Sequence, residues 1–291
     1  MDLSGVLFFP VTPFTAEGAL AEGVLAEHVE RGVAHGPGAV FAACGTGEFS
    51  ALSQAEHALV TRVAVAATAG RAPVFSGAGG PLGAALAQAR AAREAGADGL
   101  LLMPPYLAQG SKAGFLAYVT AVAAELPVIV YQRGSVVLDP ADVVELARVP
   151  GVVGLKDGLG DIDRFQRTVL AVRREIGTGF TFFNGLPTAE LTMPAYRGLG
   201  VSLYSSAVFA FAPEIALAYY AGDERLLTEF YAPLVELRSK APGYAVALVK
   251  AGLRLRGLDA GPVRAPLTDL TPEHEAELDA LLKHGLSLVQ A

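Results

Sequence analysis

Eight times along the chain a short run of apolar residues is followed by a longer, alanine-rich amphipathic stretch, and no other feature constrains the fold as much. Apolar runs closed by glycine, proline or a polar cluster read as strands buried on both faces, and repeated strand–helix units build a parallel sheet. The pattern predicts strands at residues 6–11, 39–43, 73–76, 99–103, 128–131, 152–156, 181–184 and 202–205. Helices are expected at 20–35, 54–69, 83–95, 112–125, 141–147, 161–176, 188–198 and 213–221. Ser53 with Glu56 reads as a capping box, Asp139-Pro140 as a cap followed by proline at the first helical position, and Gly96 and Gly198 as glycines that end helices. Two more helical stretches, 224–256 and 272–288, bring no new strand. The expected fold is α/β: a (β/α)₈ TIM barrel over 1–222 with a C-terminal helical extension over 223–291 packed on it, one domain overall. A doubly wound open sheet is the competing arrangement, since repeat count alone does not prove closure.

Composition trims the range of functions. A chain of 291 residues, 52% hydrophobic, can bury a large core. Its formal net charge of −7 leaves no basic surface for a phosphate backbone, which argues against a nucleic-acid partner. The uncharged run 198–213 contains Ser202, Ser205 and Ser206 and is shorter than the ~20 residues a spanning helix needs, so no membrane partner is expected. No cationic stretch precedes an apolar one at Met1-Asp2-Leu3-Ser4, and a single cysteine, Cys44, fits a reducing compartment; the expected location is the cytoplasm.

In a barrel, chemistry gathers where strands run into the following helices. Lys156 stands at such a point, behind the apolar Val152-Val153-Gly154-Leu155. Burial there would lower its pKa and supply the neutral amine that attacks a carbonyl; the alternative is a rim lysine paired with Asp157 or Glu48. Strand alternation turns Gly154 the same way as Lys156, which predicts free room above that glycine if that direction is inward. Tyr131 ends the preceding strand, so it is either a proton-moving phenol beside the lysine or a ring packed at the barrel mouth. Thr46, flanked by Gly45 and Gly47, is a candidate to relay a proton or hold a carboxylate. Arg133 is a candidate carboxylate fork, and Asn184, Gly185, Ser205 and Ser206 are candidate substrate contacts, against plainer roles as ion pair or helix cap. Gly77-Ala78-Gly79-Gly80 lacks the dinucleotide spacing. His28, His35, His57, His274 and His284 show no ligand-like pairing and are expected on solvent-facing helix surfaces, so no zinc site is indicated. Glu48 with Asp157 leaves a magnesium site open as an alternative, and Cys44 reads as an inert buried thiol.

At these residues the sequence resembles the pyruvate-dependent class I aldolase and lyase superfamily, which includes dihydrodipicolinate synthase and N-acetylneuraminate lyase. Within it the segments Cys44-Gly45-Thr46-Gly47-Glu48-Phe49, Gly154-Leu155-Lys156-Asp157-Gly158, Gly185-Leu186-Pro187-Thr188-Ala189-Glu190 and Tyr204-Ser205-Ser206-Ala207-Val208-Phe209 are most similar to the 5-dehydro-4-deoxyglucarate dehydratase family. The stretch from Gly243-Tyr244-Ala245 through Lys250 to Arg254 fits as well. The resemblance implies that Lys156 forms the Schiff base, Tyr131 shuttles protons and Thr46 places a hydroxyl beside the substrate carboxylate. It implies no cofactor beyond that covalent lysine adduct, a small 2-keto sugar acid as partner, and a homo-oligomer, tetramer or dimer. Gly45 stands where synthase and lyase relatives carry a second hydroxyl, and Gln132 follows Tyr131 where dehydratases have Asn. Tyr106 is the candidate for a tyrosine donated across a subunit interface. The activity implied is decarboxylating dehydration; a retro-aldol lyase or synthase using the same lysine, and a non-catalytic sugar-acid binder, stay open beside it.

Overall fold

The computed structural model describes residues 3–106, 110–187 and 189–290. Eight strands form one parallel sheet: β1 (Val6–Phe8), β2 (Ala39–Ala42), β3 (Val74–Ala78), β4 (Gly99–Leu102), β5 (Val128–Gln132), β6 (Val152–Asp157), β7 (Thr181–Asn184) and β8 (Tyr204–Ser206). Their spatial order is β7-β6-β5-β4-β3-β2-β1-β8, and a parallel bridge between Phe183 and Leu203 joins the two ends. Sequential order with joined ends is a barrel, which removes the doubly wound alternative.

Eight helices follow the strands: α1 (Glu22–Val33), α2 (Gln54–Thr68), α3 (Leu82–Ala95), α4 (Lys112–Ala123), α5 (Pro140–Ala147), α6 (Ile162–Glu175), α7 (Ala189–Gly198) and α8 (Pro213–Ala221). The capping signals act as their chemistry requires. Ser53 Oγ accepts from the Glu56 amide at 3.3 Å while Glu56 accepts from the Ser53 amide at 2.9 Å. Gly96 takes the left-handed conformation (φ 83°) behind α3. Gly198, expected to end its helix, lies inside the last turn of α7, and the left-handed residue is Gly200 (φ 78°). Thr188, the expected first residue of that helix, lies outside the described residues.

The stretch expected as one helix over 224–256 is broken. A wide-turn π segment, Leu227–Tyr231, leads into α9 (Ala232–Ser239), and α10 (Tyr244–Leu255) starts afresh before α11 (Pro272–Gln290). Pro233 has no amide hydrogen to continue the ladder behind it, and Pro242-Gly243, with Gly243 at φ 86°, ends the next turn. Among the described residues no helix is long and apolar enough to cross a membrane.

Side chains on alternate strand positions fill the barrel and cover it. Leu7, Phe41, Phe75, Leu101, Ile129 and Phe183 form the interior, where the Phe9, Phe41 and Phe75 rings stack at 4.7 and 4.9 Å between centroids. One outer apolar cluster joins Phe8 and Leu25 of the barrel to Phe230, Leu248 and Leu278 of the extension. The extension therefore shares the barrel's core, and its loops come down onto the barrel mouth.

Candidate active site

Strand register brings the two principal candidates together. Tyr131 on β5 pairs with Lys156 on β6, and Lys156 pairs with Phe183 on β7. The Lys156 ammonium nitrogen lies 4.2 Å from the centre of the Phe9 ring, 4.8 Å from Tyr131 and 5.5 Å from Phe183. Only 8% of the residue is exposed. Burial lowers its pKa to about 8, opposed by Cys44 and reinforced by the Arg133 guanidinium. The neutral fraction near pH 7 is thereby raised by roughly two orders of magnitude over that of a free lysine.

The rim ion pair considered for Lys156 does not form, because both carboxylates are held elsewhere. Asp157 accepts from Gln132 Nε2 at 2.6 Å and from the Tyr196 hydroxyl, while Glu48 binds Lys250 Nζ at 2.7 Å and the Arg264 amide at 2.8 Å. These same contacts occupy the two acids proposed for a magnesium site. The free room expected above Gly154 is also missing. A Cβ there would stand 2.7 Å from the Thr181 carbonyl oxygen, so this glycine serves close strand packing between β6 and β7.

Gly185, the first residue beyond β7, closes the lysine's other side. Its carbonyl accepts the Tyr131 hydroxyl at 2.6 Å, and a Cβ on it would meet Lys156 Cε at 2.6 Å and Tyr131 Cε2 at 2.7 Å. Arg133 Nη1 donates to the same phenol oxygen at 3.2 Å. Tyr131 is 4% exposed; burial raises its pKa and the Arg133 charge opposes that rise. The phenol is thus held protonated, its hydrogen on the Gly185 carbonyl, beside an amine of lowered pKa.

These groups open into a pocket of about 360 Å³ whose lining includes Gly45, Thr46, Tyr131, Arg133, Lys156, Gly185 and Ser205. That size suits a small-molecule ligand. The Thr46 hydroxyl has no partner among the described residues, and the space a Cβ would take on Gly45 is open. Three other candidates lie behind the lining and fix the loops. Gly47 presses on the Ala43 backbone and its carbonyl accepts the Thr12 hydroxyl at 2.7 Å. Asn184 spends its amide on Ala189 O, Thr192 Oγ1 and the Leu186 amide. Ser206 Oγ caps the 3₁₀ turn Val208–Ala210 through the Phe209 amide at 3.1 Å. Tyr106, 53% exposed with φ 50°, is not part of the pocket lining in a single chain. A roomier groove of about 520 Å³ between α3, α4 and the segment after β5 holds none of the candidate catalytic or substrate-contact residues.

The expectation of solvent-facing histidines fails at two positions. His28 and His57 are buried, not solvent-facing: His28 Nε2 accepts from the Val11 amide at 3.4 Å and His57 Nε2 meets the Gly77 carbonyl at 2.5 Å. Burial holds the pKa of His57 down and pushes that of His28 to about 3, so both are neutral packing groups. Cys44 is fully buried, which pushes its thiol up to about 12. Sequence reasoning also missed one whole wall of the pocket. Glu190 of α7, Arg238 of α9 and Arg264 with Leu267 beyond α10 line it, and only Glu190 lay in a segment that drew attention.

Residues 2–285 match the dihydrodipicolinate synthetase family. The chain belongs to that family. Relatives at high identity carry a narrower name, as the sequence resemblance led us to expect. A "Probable 5-dehydro-4-deoxyglucarate dehydratase 1" of Streptomyces coelicolor is 56% identical over 298 residues, covering 99% of this chain and 94% of its own. A "Probable 5-dehydro-4-deoxyglucarate dehydratase" of Streptomyces griseus is 55% identical, covering 99% and 93%. Among solved family members, YagE of E. coli K12, crystallised in complex with pyruvate, superposes with a TM-score of 0.84 at 25% identity, covering 97% of this chain and 98% of its own.

Proposed function

We propose that the protein converts 5-dehydro-4-deoxy-D-glucarate to 2,5-dioxopentanoate, CO₂ and water through a Schiff base on Lys156. The observation that carries this reading is the lysine itself, an amine of pKa about 8 in an aromatic cup with the Tyr131 phenol beside it. The names of the Streptomyces relatives support the same substrate. The open space at Gly45 supports a dehydratase over a synthase, since synthase relatives place a second hydroxyl there.

The steps follow from the iminium. Lys156 adds to the ketone, and Tyr131 passes a proton to the departing carbinolamine oxygen, which leaves as water. The iminium acidifies the adjacent methylene; its proton is lost, and the enamine expels the next hydroxyl as water. A conjugated iminium remains, and the electrons of the bond to the far carboxylate flow into it as CO₂ departs. Protonation of the dienamine, collapse of the enol to an aldehyde and hydrolysis then release the dioxo acid and free lysine; the water taken up here balances the water lost on imine formation. Thr46 holds the carboxylate beside the ketone. The covalent iminium takes the part of a cofactor. On this reading the enzyme works in the cytoplasm as a homo-oligomer, with exposed Tyr106 offered to a neighbouring subunit.

Borohydride reduction in the presence of substrate, followed by peptide mapping, tests the assignment. The expected result is one modified peptide, carrying Lys156, together with CO₂ release in the unreduced reaction. Unchanged substrate with well-folded protein, or an adduct on another lysine, would remove it. Pyruvate among the products would transfer the assignment to a retro-aldol lyase.

A further inference from the structure

We infer that Arg238 recognises the far carboxylate of the substrate and selects diacids over monoacids. This rests on the Schiff-base reading of Lys156 and adds to it a second anchor, carried by the helical extension.

The charges around the pocket differ in how far they are already satisfied. Lys156, Arg133, Arg238, Arg264, Glu48 and Glu190 line it. Arg264 is consumed: its guanidinium binds Glu56, the Gly18 carbonyl at 2.6 Å and the Ala51 carbonyl at 2.9 Å. Glu48 is neutralised by Lys250. Arg133 is exposed and spends a donor on the Tyr131 hydroxyl. Arg238 differs from all of these. Its side chain is 11% exposed; among the described residues its one polar contact is a long 3.5 Å approach of Nη1 to Glu190 Oε2, and Nη2 is buried without a partner.

A buried guanidinium nitrogen without an acceptor is costly, and native proteins rarely leave one. A donor kept dry and unspent in a pocket wall is matched by a charged acceptor arriving in that pocket. The fork of an arginine fits a carboxylate better than any other common anion of a metabolite except phosphate. A six-carbon 2-keto diacid has one carboxylate next to the ketone, which condenses at Lys156, and a second at its other end, free to meet Arg238. The single long contact to Glu190 orients the guanidinium without using up its donors.

The test uses probes that condense with the lysine but carry no hydroxyl to expel. 2-Oxoadipate is a six-carbon 2-keto diacid and 2-oxohexanoate its monoacid counterpart; the readout is the concentration giving half-maximal borohydride trapping on Lys156. Wild type should trap 2-oxoadipate at lower concentration. In Arg238→Met the value for 2-oxoadipate should rise roughly 10- to 100-fold, as for loss of a hydrogen bond to a charged group, while 2-oxohexanoate changes less than about threefold and so reports an intact fold. Arg238→Lys should fall between. Equal losses for both probes, or none for the diacid, overturn the assignment while leaving the Schiff base standing. If Arg238 only neutralises Glu190, adding Glu190→Gln to Arg238→Met restores trapping of 2-oxoadipate, and that also overturns it. Absence of any adduct in wild type removes the Schiff-base reading and this inference with it.

Discussion

Gly185 and Lys156 are packed so closely that a single methyl group on the glycine would lie 2.6 Å from the lysine Cε. The same methyl would lie 2.7 Å from the Tyr131 ring, so the lysine and the phenol owe their juxtaposition to the absence of a side chain at one position. Gly185→Ala must displace one of them. Overpacking of this kind costs about 1–3 kcal/mol. Turnover should fall at least about tenfold and borohydride trapping on Lys156 should slow in parallel, measured beside a thermal melt. An alanine variant with wild-type turnover would show that the contact is irrelevant.

The pH dependence of adduct formation should report the lysine. On the Schiff-base proposal the neutral amine is the nucleophile, so the trapping rate should rise with pH through about 8 and level above it. Arg133 contributes to lowering that pKa, because a nearby cation disfavours the ammonium. Arg133→Met should therefore move the limb to higher pH. A limb near the 10.5 of an ordinary lysine would contradict the burial argument.

Stability should record the same cost with a definite sign. The folded amine titrates at about 8 and the unfolded one near 10.5, so between these values the native state binds fewer protons than the unfolded chain. Wild type then gains stability as pH rises from 8 to 10.5. Lys156→Met, freed of the buried charge, should be more stable than wild type at pH 7 by on the order of 3 kcal/mol, and the gap should close by pH 10.5. Denaturant midpoints at the two pH values measure it; a variant less stable at pH 7 would refute the account.

The Glu48–Lys250 pair is fully buried, with Lys250 also donating to the Pro262 carbonyl at 2.7 Å. Removing one partner strands the other charge, at about 3–5 kcal/mol. Lys250→Met should lower the denaturation midpoint accordingly, and adding Glu48→Gln should restore most of the loss. No recovery in the double variant would mean that Lys250 acts through something other than Glu48.

Most of the barrel was legible because strands buried on both faces are written as unbroken apolar runs, and 181–184 was read to the residue. β8 was read two residues early. Ser202 is exposed and pairing with β1 starts at Tyr204 opposite Val6, a register that depends on a partner nearly two hundred residues away. That Lys156 and Tyr131 are neighbours was legible because adjacent strands fix their pairing. His28 and His57 were misread because polarity suggests a wet face, whereas each finds one backbone partner inside. Arg238 and Arg264 carry no local motif; a fold that brings the last quarter of the chain over the mouth is what makes them visible.

The long reach of Arg264 bears on how the protein comes into being. Arg264 bonds to Gly18, Ala51 and Glu56, partners more than two hundred positions earlier. During synthesis Lys156 and Tyr131 emerge long before the segment that roofs them. The pocket can be completed only when nearly all of the polypeptide has left the ribosome, so a truncated product would hold Lys156 without the wall that encloses it.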